Sequence, residues 1–299
     1  MLLDSGYEVT VLDDLSTGHK SAIDSRATFV EGSILDSASI AQSLQGCEAV
    51  IHFAGKSLVG ESVEKPQLYM QVNVEGSTNL LNEMKSAGVK KIVFSSSAAT
   101  YGEPTESTVS EESAANPSNP YGASKLKVDE LLAERSASDG VAAISLRYFN
   151  VAGALKTSSG WLRERHDPET HLIPNIFKAT QEFPLKVFGT DWPTPDKTCV
   201  RDYIHVVDLI NAHISALKSV QPAHHQIINL GSGDGYSVRQ VIEAAARASG
   251  REIPSIDVER RAGDPAVLVA SIEKAKKVLR WSPMRDLNAM VEDVFNSAN

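Results

Sequence analysis

Cysteine is scarce. The 299-residue chain has two, Cys47 and Cys199, too few and too far apart for a zinc-ligand spacing or a disulfide framework. They read as free thiols of a reducing compartment, so the expected location is the cytoplasm. Basic charge is also short. The formal net charge is −9 and no run of Lys and Arg stands out, so the chain lacks the electrostatic footprint that nucleic acid or an anionic membrane surface requires. Apolar runs are all shorter than the roughly 20 residues that span a bilayer. Met1–Gly6 lacks the basic and long apolar regions of a secretory leader. Low-complexity segments and internal repeats are missing too. What is present, 42% hydrophobic and 22% charged residues, suffices for one large domain or two smaller ones.

Apolar strands alternate with amphipathic helices along the chain, the pattern of a parallel sheet covered on both faces. Expected strands are Tyr7–Leu12, Ala27–Glu31, Glu48–Phe53, Lys91–Ser95 and Ala142–Tyr148, all short and rich in Val and Ile. Expected helices are Val74–Ala87, stopped by Gly88, and Tyr121–Arg135, opened by Pro120. Unusual polarity follows the strands: Asp13-Asp14, Ala54-Gly55, Ser96-Ser97 and Phe149-Asn150. Ligands of open α/β sheets bind outside the carboxyl ends of strands, so these positions are expected to share one crevice.

Tyr121-Gly-Ala-Ser-Lys125 carries the chemistry. Four residues are about one helical turn, so phenol and ammonium project from one face. A free tyrosine, with a pKa near ~10, is a poor base at neutral pH, and a cation one turn away is expected to lower that value. Such a base fits alcohol oxidation with a nicotinamide as partner, since a hydroxyl proton must leave as hydride departs from the same carbon. Ser97 ends a Ser95-Ser96-Ser97 run that precedes the tyrosine. Asp13, just after an apolar strand, suits the two ribose hydroxyls of an adenosine, the role of an acid at the end of a second strand. Met1–Gly6 reads as the last turn of a helix closed by glycine, and no glycine-rich phosphate loop precedes it. The first strand and phosphate cradle are therefore expected to be missing. That strand belongs between those carrying Asp13 and His52, and leaving out about five buried apolar side chains removes on the order of 10 kcal/mol.

Together the motifs resemble the UDP-glucose 4-epimerases of the extended short-chain dehydrogenase/reductase family. The resemblance rests on Val11-Leu-Asp13-Asp-Leu-Ser, His52-Phe-Ala-Gly-Lys-Ser-Leu-Val-Gly-Glu-Ser62, Phe94-Ser-Ser-Ser97 with Tyr101-Gly102, Pro120-Tyr-Gly-Ala-Ser-Lys125, Leu146-Arg-Tyr-Phe-Asn150, Arg201-Asp-Tyr-Ile-His205 and Arg261-Ala-Gly-Asp264. It implies a Rossmann-like NAD-binding domain over 1–150, N-terminally shortened, and a smaller α/β UDP-sugar domain over 151–299, with part of 201–218 returning to the first. It further implies interconversion of UDP-glucose and UDP-galactose through a transient 4-keto sugar on tightly held NAD, and a homodimer.

By that resemblance Tyr121, Lys125 and Ser97 are catalytic. Asp13, Asp14, Leu15, Ser16, Thr17, Gly18, Ser33, Ile34, Phe53, Ala54, Gly55, Lys56, Ser57, Asn73, Ser95, Tyr148 and Phe149, with Tyr121 and Lys125, would surround NAD. Asn150, His171, Leu172, Lys186, Phe188, Arg201, Tyr203, Arg261, Asp264 and Leu268, with Ser97 and Tyr121, would hold the nucleotide-sugar. Arg201 and Arg261 suit a diphosphate through forked, charge-assisted hydrogen bonds. Ser33 stands where the family commonly has aspartate, which should weaken one adenine contact by about 1 kcal/mol. Leu268 falls where the family sets the bulk allowed at the sugar 2-position, and leucine implies tolerance of N-acetylated sugars. His171 is not expected to bind metal, having no second ligand nearby, and no metal is expected elsewhere. Ser97-Ala98-Ala99-Thr100 lacks the Asp-Glu pair of the related dehydratases, so water elimination is disfavoured. Two alternatives stay open: a truncated, catalytically impaired nucleotide-sugar binder, or another NAD-dependent nucleotide-sugar epimerase or reductase.

Overall fold

Short β-branched runs ended by Gly or Ser form the strands, and longer segments with apolar residues at helical spacing form the helices that cover them. The structure is a computed structural model of the chain and describes residues 1–261 and 264–298. The chain divides into two compact units. The first takes Met1–Gly102, Ala114–Arg147 and His213–Ile228; the second takes Glu103–Ser113, Tyr148–Ala212 and Asn229–Asn299.

In the first unit, strands Thr10–Asp13 and Thr28–Glu31 pair in parallel. A separate sheet has the order His225–Leu230, Ala142–Tyr148, Lys91–Ser97, Ala49–His52, with Ala49–His52 parallel to Lys91–Ser97. Among the described residues Thr10–Asp13 pairs with one neighbour, and so does Ala49–His52. Helices Ser37–Ser43, Gly76–Ala87 and Pro120–Asp139 supply the apolar layer. Ile40, Leu44, Leu81, Met84, Val128 and Leu132 close on Ile92 and Phe94 of the sheet in one core. At about 25 cal/mol per Å² this burial is the main stabilisation of the unit. The result is a doubly wound, Rossmann-like α/β architecture.

Several element boundaries differ from the sequence expectation. The first strand covers Thr10–Asp13 rather than Tyr7–Leu12, so Asp13 is its last residue. The expected helix Val74–Ala87 is an α-helix over Gly76–Ala87, preceded by a π-helix over Met70–Glu75 that contains Asn73. The Tyr121 helix is longer than expected, Pro120–Asp139, with the Asn119 side chain capping Gly122 N–H at 2.9 Å and Gly140 closing the end in the left-handed conformation.

The second unit has a four-stranded sheet in the order Tyr236–Ser237, Val200–Arg201, Val267–Ala270, Thr108–Val109. Smaller parallel pairs join Leu185–Phe188 to Ser255–Val258 and Asn150–Ala152 to Tyr203–His205. Helices Leu172–Lys178, Val238–Ser249 and Leu287–Ala298 pack through Ile173, Ile176, Val241, Ala245, Met290 and Val291. No helix among the described residues is long and apolar enough to cross a membrane.

Candidate active site

The strand Lys91–Ser97 ends at a serine, and the Pro120–Asp139 helix begins one residue before a tyrosine. Ser97 and Tyr121 meet there through a side-chain hydrogen bond, and Ser97 Oγ also accepts from Ala99 N at 3.1 Å. One turn along, Lys125 is 4% exposed and its Nζ donates to the Ser95 carbonyl at 2.8 Å. The ammonium lies 4.9 Å from the Phe94 ring centroid and 5.9 Å from that of Tyr121. All three residues thus occupy one place.

The electrostatics differ from the sequence expectation. Burial pushes the Tyr121 phenol above its ordinary value, and the opposing influence is the Ser97 hydrogen bond. Lys125 does not lower Tyr121 here. Instead, burial drives Lys125 itself from 10.5 down to about 8, against the upward pull of Asp129. The ammonium is engaged with Ser95 rather than with the phenol, so desolvation governs both groups.

Asn73 ties this place to the loop after Ala49–His52. Its Oδ1 accepts from Lys56 N at 2.7 Å, while Nδ2 donates to Lys56 O at 3.0 Å and to Ser124 Oγ at 2.9 Å. Ser124 donates to the Tyr121 carbonyl at 2.7 Å. On the other side Ser77 donates to Asn73 O and meets His52 Nε2 at 2.8 Å. Since the Ser77 proton goes to Asn73, His52 Nε2 is the donor. Burial and the Lys125 charge keep His52 neutral, with a pKa of about 3. Gly55 has φ 151°, and a Cβ there would sit 2.9 Å from Asn73 Oδ1 and 3.9 Å from Lys125 Nζ. Glycine alone allows that backbone against the Asn73 amide.

The other expected cofactor positions surround this network or the first strand end. Asp13 Oδ1 accepts from Leu15 N at 2.7 Å, holding Leu15 at φ 55°. A Cβ on Gly18 would lie 2.7 Å from the same carboxylate, so the 15–18 loop folds over Asp13. Ser16 N donates to Asp14 Oδ1 at 2.9 Å, and Thr17 is exposed. Ser33 Oγ accepts from Leu35 N at 3.2 Å, a local turn, and Ile34 is buried against Gly76. Phe53 is 54% exposed, with its ring 4.8 Å from that of His213; Ala54 and Ser57 beside it are exposed.

The remaining expected residues belong to the second unit. Tyr148 ends its strand, and buried Phe149 donates its N–H to Leu230 O at 3.3 Å. Asn150 Nδ2 donates to Asp202 O at 2.9 Å. Arg201 Nη1 donates to Pro265 O at 2.8 Å, and its Nη2 stands 3.4 Å from Asp264 Oδ1 while lacking a hydrogen-bond acceptor. Leu268 pairs with Arg201 across parallel strands and is half-buried. The Arg261 guanidinium stacks 3.8 Å from the Phe188 ring centroid. Tyr203 is buried, which pushes its phenol up. Lys186 is exposed.

His171 caps the helix that Leu172 begins. The expectation that no second ligand lies near it does not hold. Glu164 Oε1 is 2.6 Å from its Nδ1 and Glu169 Oε1 is 3.0 Å away, with His166 in the same group. Hydrogen bonding to Glu164 raises His171 to about 9.

Two structurally important acids escaped the motif reading. Asp129 lies one turn beyond Lys125 on the same helical face, a spacing that could have exposed it. Its Oδ2 takes Arg147 Nη2 at 2.8 Å, Arg147 Nε at 3.0 Å and Ser96 Oγ at 3.1 Å, while Oδ1 is buried without a partner. Asp202, inside the Arg201-to-His205 motif, is fully buried. It accepts from Ser232 N, Ser232 Oγ, Gly233 N and Ala270 N at 2.6 to 3.1 Å, which fixes the loop beside Val267–Ala270.

The chain is similar to known proteins in sequence and fold. Residues 1–231 match the model of the NAD dependent epimerase/dehydratase family. The UDP-glucose 4-epimerase of Corynebacterium glutamicum is 48% identical over 298 residues, covering 99% of this chain and 89% of that protein. The solved UDP-glucose 4-epimerase of Brucella ovis in complex with NAD superposes with a TM-score of 0.92 at 41% identity, over 98% of this chain and 91% of that one. That of Bifidobacterium longum, in complex with NAD+ and UDP, gives a TM-score of 0.91 at 37% identity, over 99% and 92%. The chain belongs to the NAD dependent epimerase/dehydratase family.

Proposed function

We propose that the chain is a UDP-glucose 4-epimerase, interconverting UDP-glucose and UDP-galactose through a transient 4-keto sugar with NAD as resident cofactor. The observation that carries this reading is the convergence of Ser97, Tyr121 and Lys125 at one strand end. The residues fit NAD. The Gly55 backbone lies too close to the Asn73 amide for any side chain, so no Cβ stands between that loop and a cofactor, and the Asp13 carboxylate ends the first strand where adenosine ribose hydroxyls are met in such folds. When bound, the nicotinamide supplies an acceptor and donor of two electrons at C4 of the sugar.

The chain's own residues manage the proton. Tyr121 takes it from the 4-hydroxyl and returns it after the keto sugar has turned its other face. Ser97 holds the 4-oxygen and, through its bond to the phenol, favours the phenolate. Lys125 is a buried cation held by the Ser95 carbonyl, its ammonium 5.9 Å from the Tyr121 ring centroid. Asn73 and Ser124 fix the backbone from which Tyr121 and Gly55 project. In the second unit Arg201 Nη2, a buried donor lacking an acceptor, suits a diphosphate oxygen, and the stacked Arg261 offers a second guanidinium. Anchoring the nucleotide while gripping the hexose loosely lets the intermediate rotate without escaping.

Two finer readings accompany this one. The assembly is a homodimer through the helices of the first unit, supported by exposed Val59, Val63 and Met70; sedimentation at a monomer mass rejects it. The location is the cytoplasm, supported by the free thiols Cys47 and Cys199. The function is tested by supplying NAD and UDP-galactose and following UDP-glucose, with Tyr121→Phe as control. Conversion by the parent chain and none by the variant supports the reading. NAD binding with turnover of neither sugar rejects it in favour of another nucleotide-sugar chemistry.

A further inference from the structure

The segment between the strand Gly160–Leu162 and the helix Leu172–Lys178 reads Glu164-x-His166-x-x-Glu169-x-His171. Its fold brings one ligand-capable atom from each of these four residues within 4.8 Å of one another. Glu164 Oε1 lies 2.6 Å from His166 Nδ1 and 2.6 Å from His171 Nδ1, and Glu169 Oε1 lies 3.0 Å from His171 Nδ1. The proton chemistry at Tyr121 uses none of them. We propose that this cluster binds one divalent transition-metal ion, best suited to zinc, through two imidazoles and two carboxylates.

Geometry, charge and donor type agree. Tetrahedral zinc holds N and O ligands at about 2.0 to 2.2 Å, which sets them roughly 3.3 to 3.5 Å apart. The three close contacts need to spread by less than about 1 Å, and the pairs that are further apart, none beyond 4.8 Å, need to draw together by at most about 1.5 Å to reach that spacing. Two carboxylates balance a doubly charged ion, and two imidazoles favour zinc and its neighbours over magnesium or calcium, which require oxygen ligands. Binding releases the Nδ1 protons to solvent and involves no redox step. One ligand is already fixed by its surroundings: the Glu169 side chain is 4% exposed, its Oε1 accepts from His171 N at 2.8 Å, and its carbonyl accepts from Asn175 Nδ2 at 3.1 Å. Such outer contacts orient metal ligands and strengthen their hold. Because His171 is the N-cap of the following helix, the ion would pin the start of that helix to the preceding loop.

The whole chain, stripped with a chelator and dialysed, is titrated with zinc chloride by calorimetry and with cobalt(II) by visible absorption. About one equivalent is expected, with the intense cobalt spectrum of a four-coordinate site and no competition from excess magnesium. His166→Gln and His171→Gln should each weaken zinc binding by about tenfold or more, and Glu164→Gln similarly, while far-ultraviolet circular dichroism of the metal-free variants stays that of the parent. A stoichiometry unchanged in both histidine variants, or binding absent in a folded parent chain, overturns the proposal. Since the readout is metal binding rather than turnover, failure here leaves the epimerase reading untouched, and failure of that reading leaves this one standing.

Discussion

Lys125 offers a test of the site's electrostatics that needs no substrate. Burial lowers it from 10.5 to about 8, which corresponds to about 3 kcal/mol against the charged form in the folded chain. The sign follows from proton counting. Between pH 8 and 10.5 the unfolded chain holds more protons than the folded one, so stability rises with pH across that window. Below about 8 the full penalty is present; above the unfolded value it has vanished. Lys125→Met removes the titration, and with it the Ser95 hydrogen bond, a loss of about 1 to 2 kcal/mol. The variant is therefore expected to be more stable than its parent near neutral pH and less stable in strong alkali. To keep the neighbouring phenol from titrating, both chains carry Tyr121→Phe. Urea unfolding followed by circular dichroism at intervals from about pH 7 to about pH 10 gives the difference in unfolding free energy, whose pH-dependent part should approach about 3 kcal/mol. A difference that stays constant across the window, or grows with pH, refutes the claim that Lys125 is held as a costly buried cation.

Three further outcomes are expected. Ser97→Ala should lower kcat about 100-fold with little change in KM, since it removes the hydrogen bond that opposes the burial-raised pKa of Tyr121; steady-state kinetics on UDP-galactose decide it, and an equal loss in KM would argue for a binding role. Asp129→Asn leaves the Arg147 guanidinium buried beside a neutral group, and about 3 kcal/mol of stability should be lost, whereas replacing both residues by leucine should cost far less; urea midpoints of the two variants separate these cases. On the reading that Leu268 sets the bulk admitted at the sugar 2-position, Leu268→Tyr should cut turnover of UDP-N-acetylglucosamine about tenfold or more while sparing UDP-glucose, and equal effects on the two sugars reject that reading.

The alternation of apolar strands and amphipathic helices was legible because burial of a sheet's two faces imposes it on the residues themselves. Asp13, Ser97 and Gly55 stood out as polar or glycine positions directly after apolar strands, a pattern that ordinary turns also produce, so each carried weight only beside the other motifs. The π-helix Met70–Glu75 was not legible. The expected helix began only at Val74, and the Asn73 amide that the π-helix presents answers to Lys56 and Ser124, 17 and 51 residues away in the chain. Local periodicity carries no record of such partners. The Glu164-to-His171 group shows the reverse situation: its four residues are close in sequence, yet the sequence reading gave His171 no second ligand. What the sequence lacked was the turn that folds them onto one another.

The reading of Tyr121 and Lys125 marks the limit of spacing as evidence. Four residues in a helix establish that phenol and ammonium share a face, and the structure has them there. Which of the two is perturbed depends on what surrounds them. Lys125 is enclosed by Phe94 and the Ser95 carbonyl, and the next acid along the face, Asp129, has its Oδ2 committed to Arg147 and Ser96. Were Asp129 free of Arg147, its charge would act on Lys125 undivided and hold it more firmly protonated. The buried Arg147 guanidinium shares that carboxylate, so the ammonium keeps much of its desolvation cost. A cation in that condition gains more from new negative charge than a fully paired one does. The Asp129 charge therefore opposes the burial of Lys125 from one turn away, while Arg147 and Ser96 hold the same carboxylate.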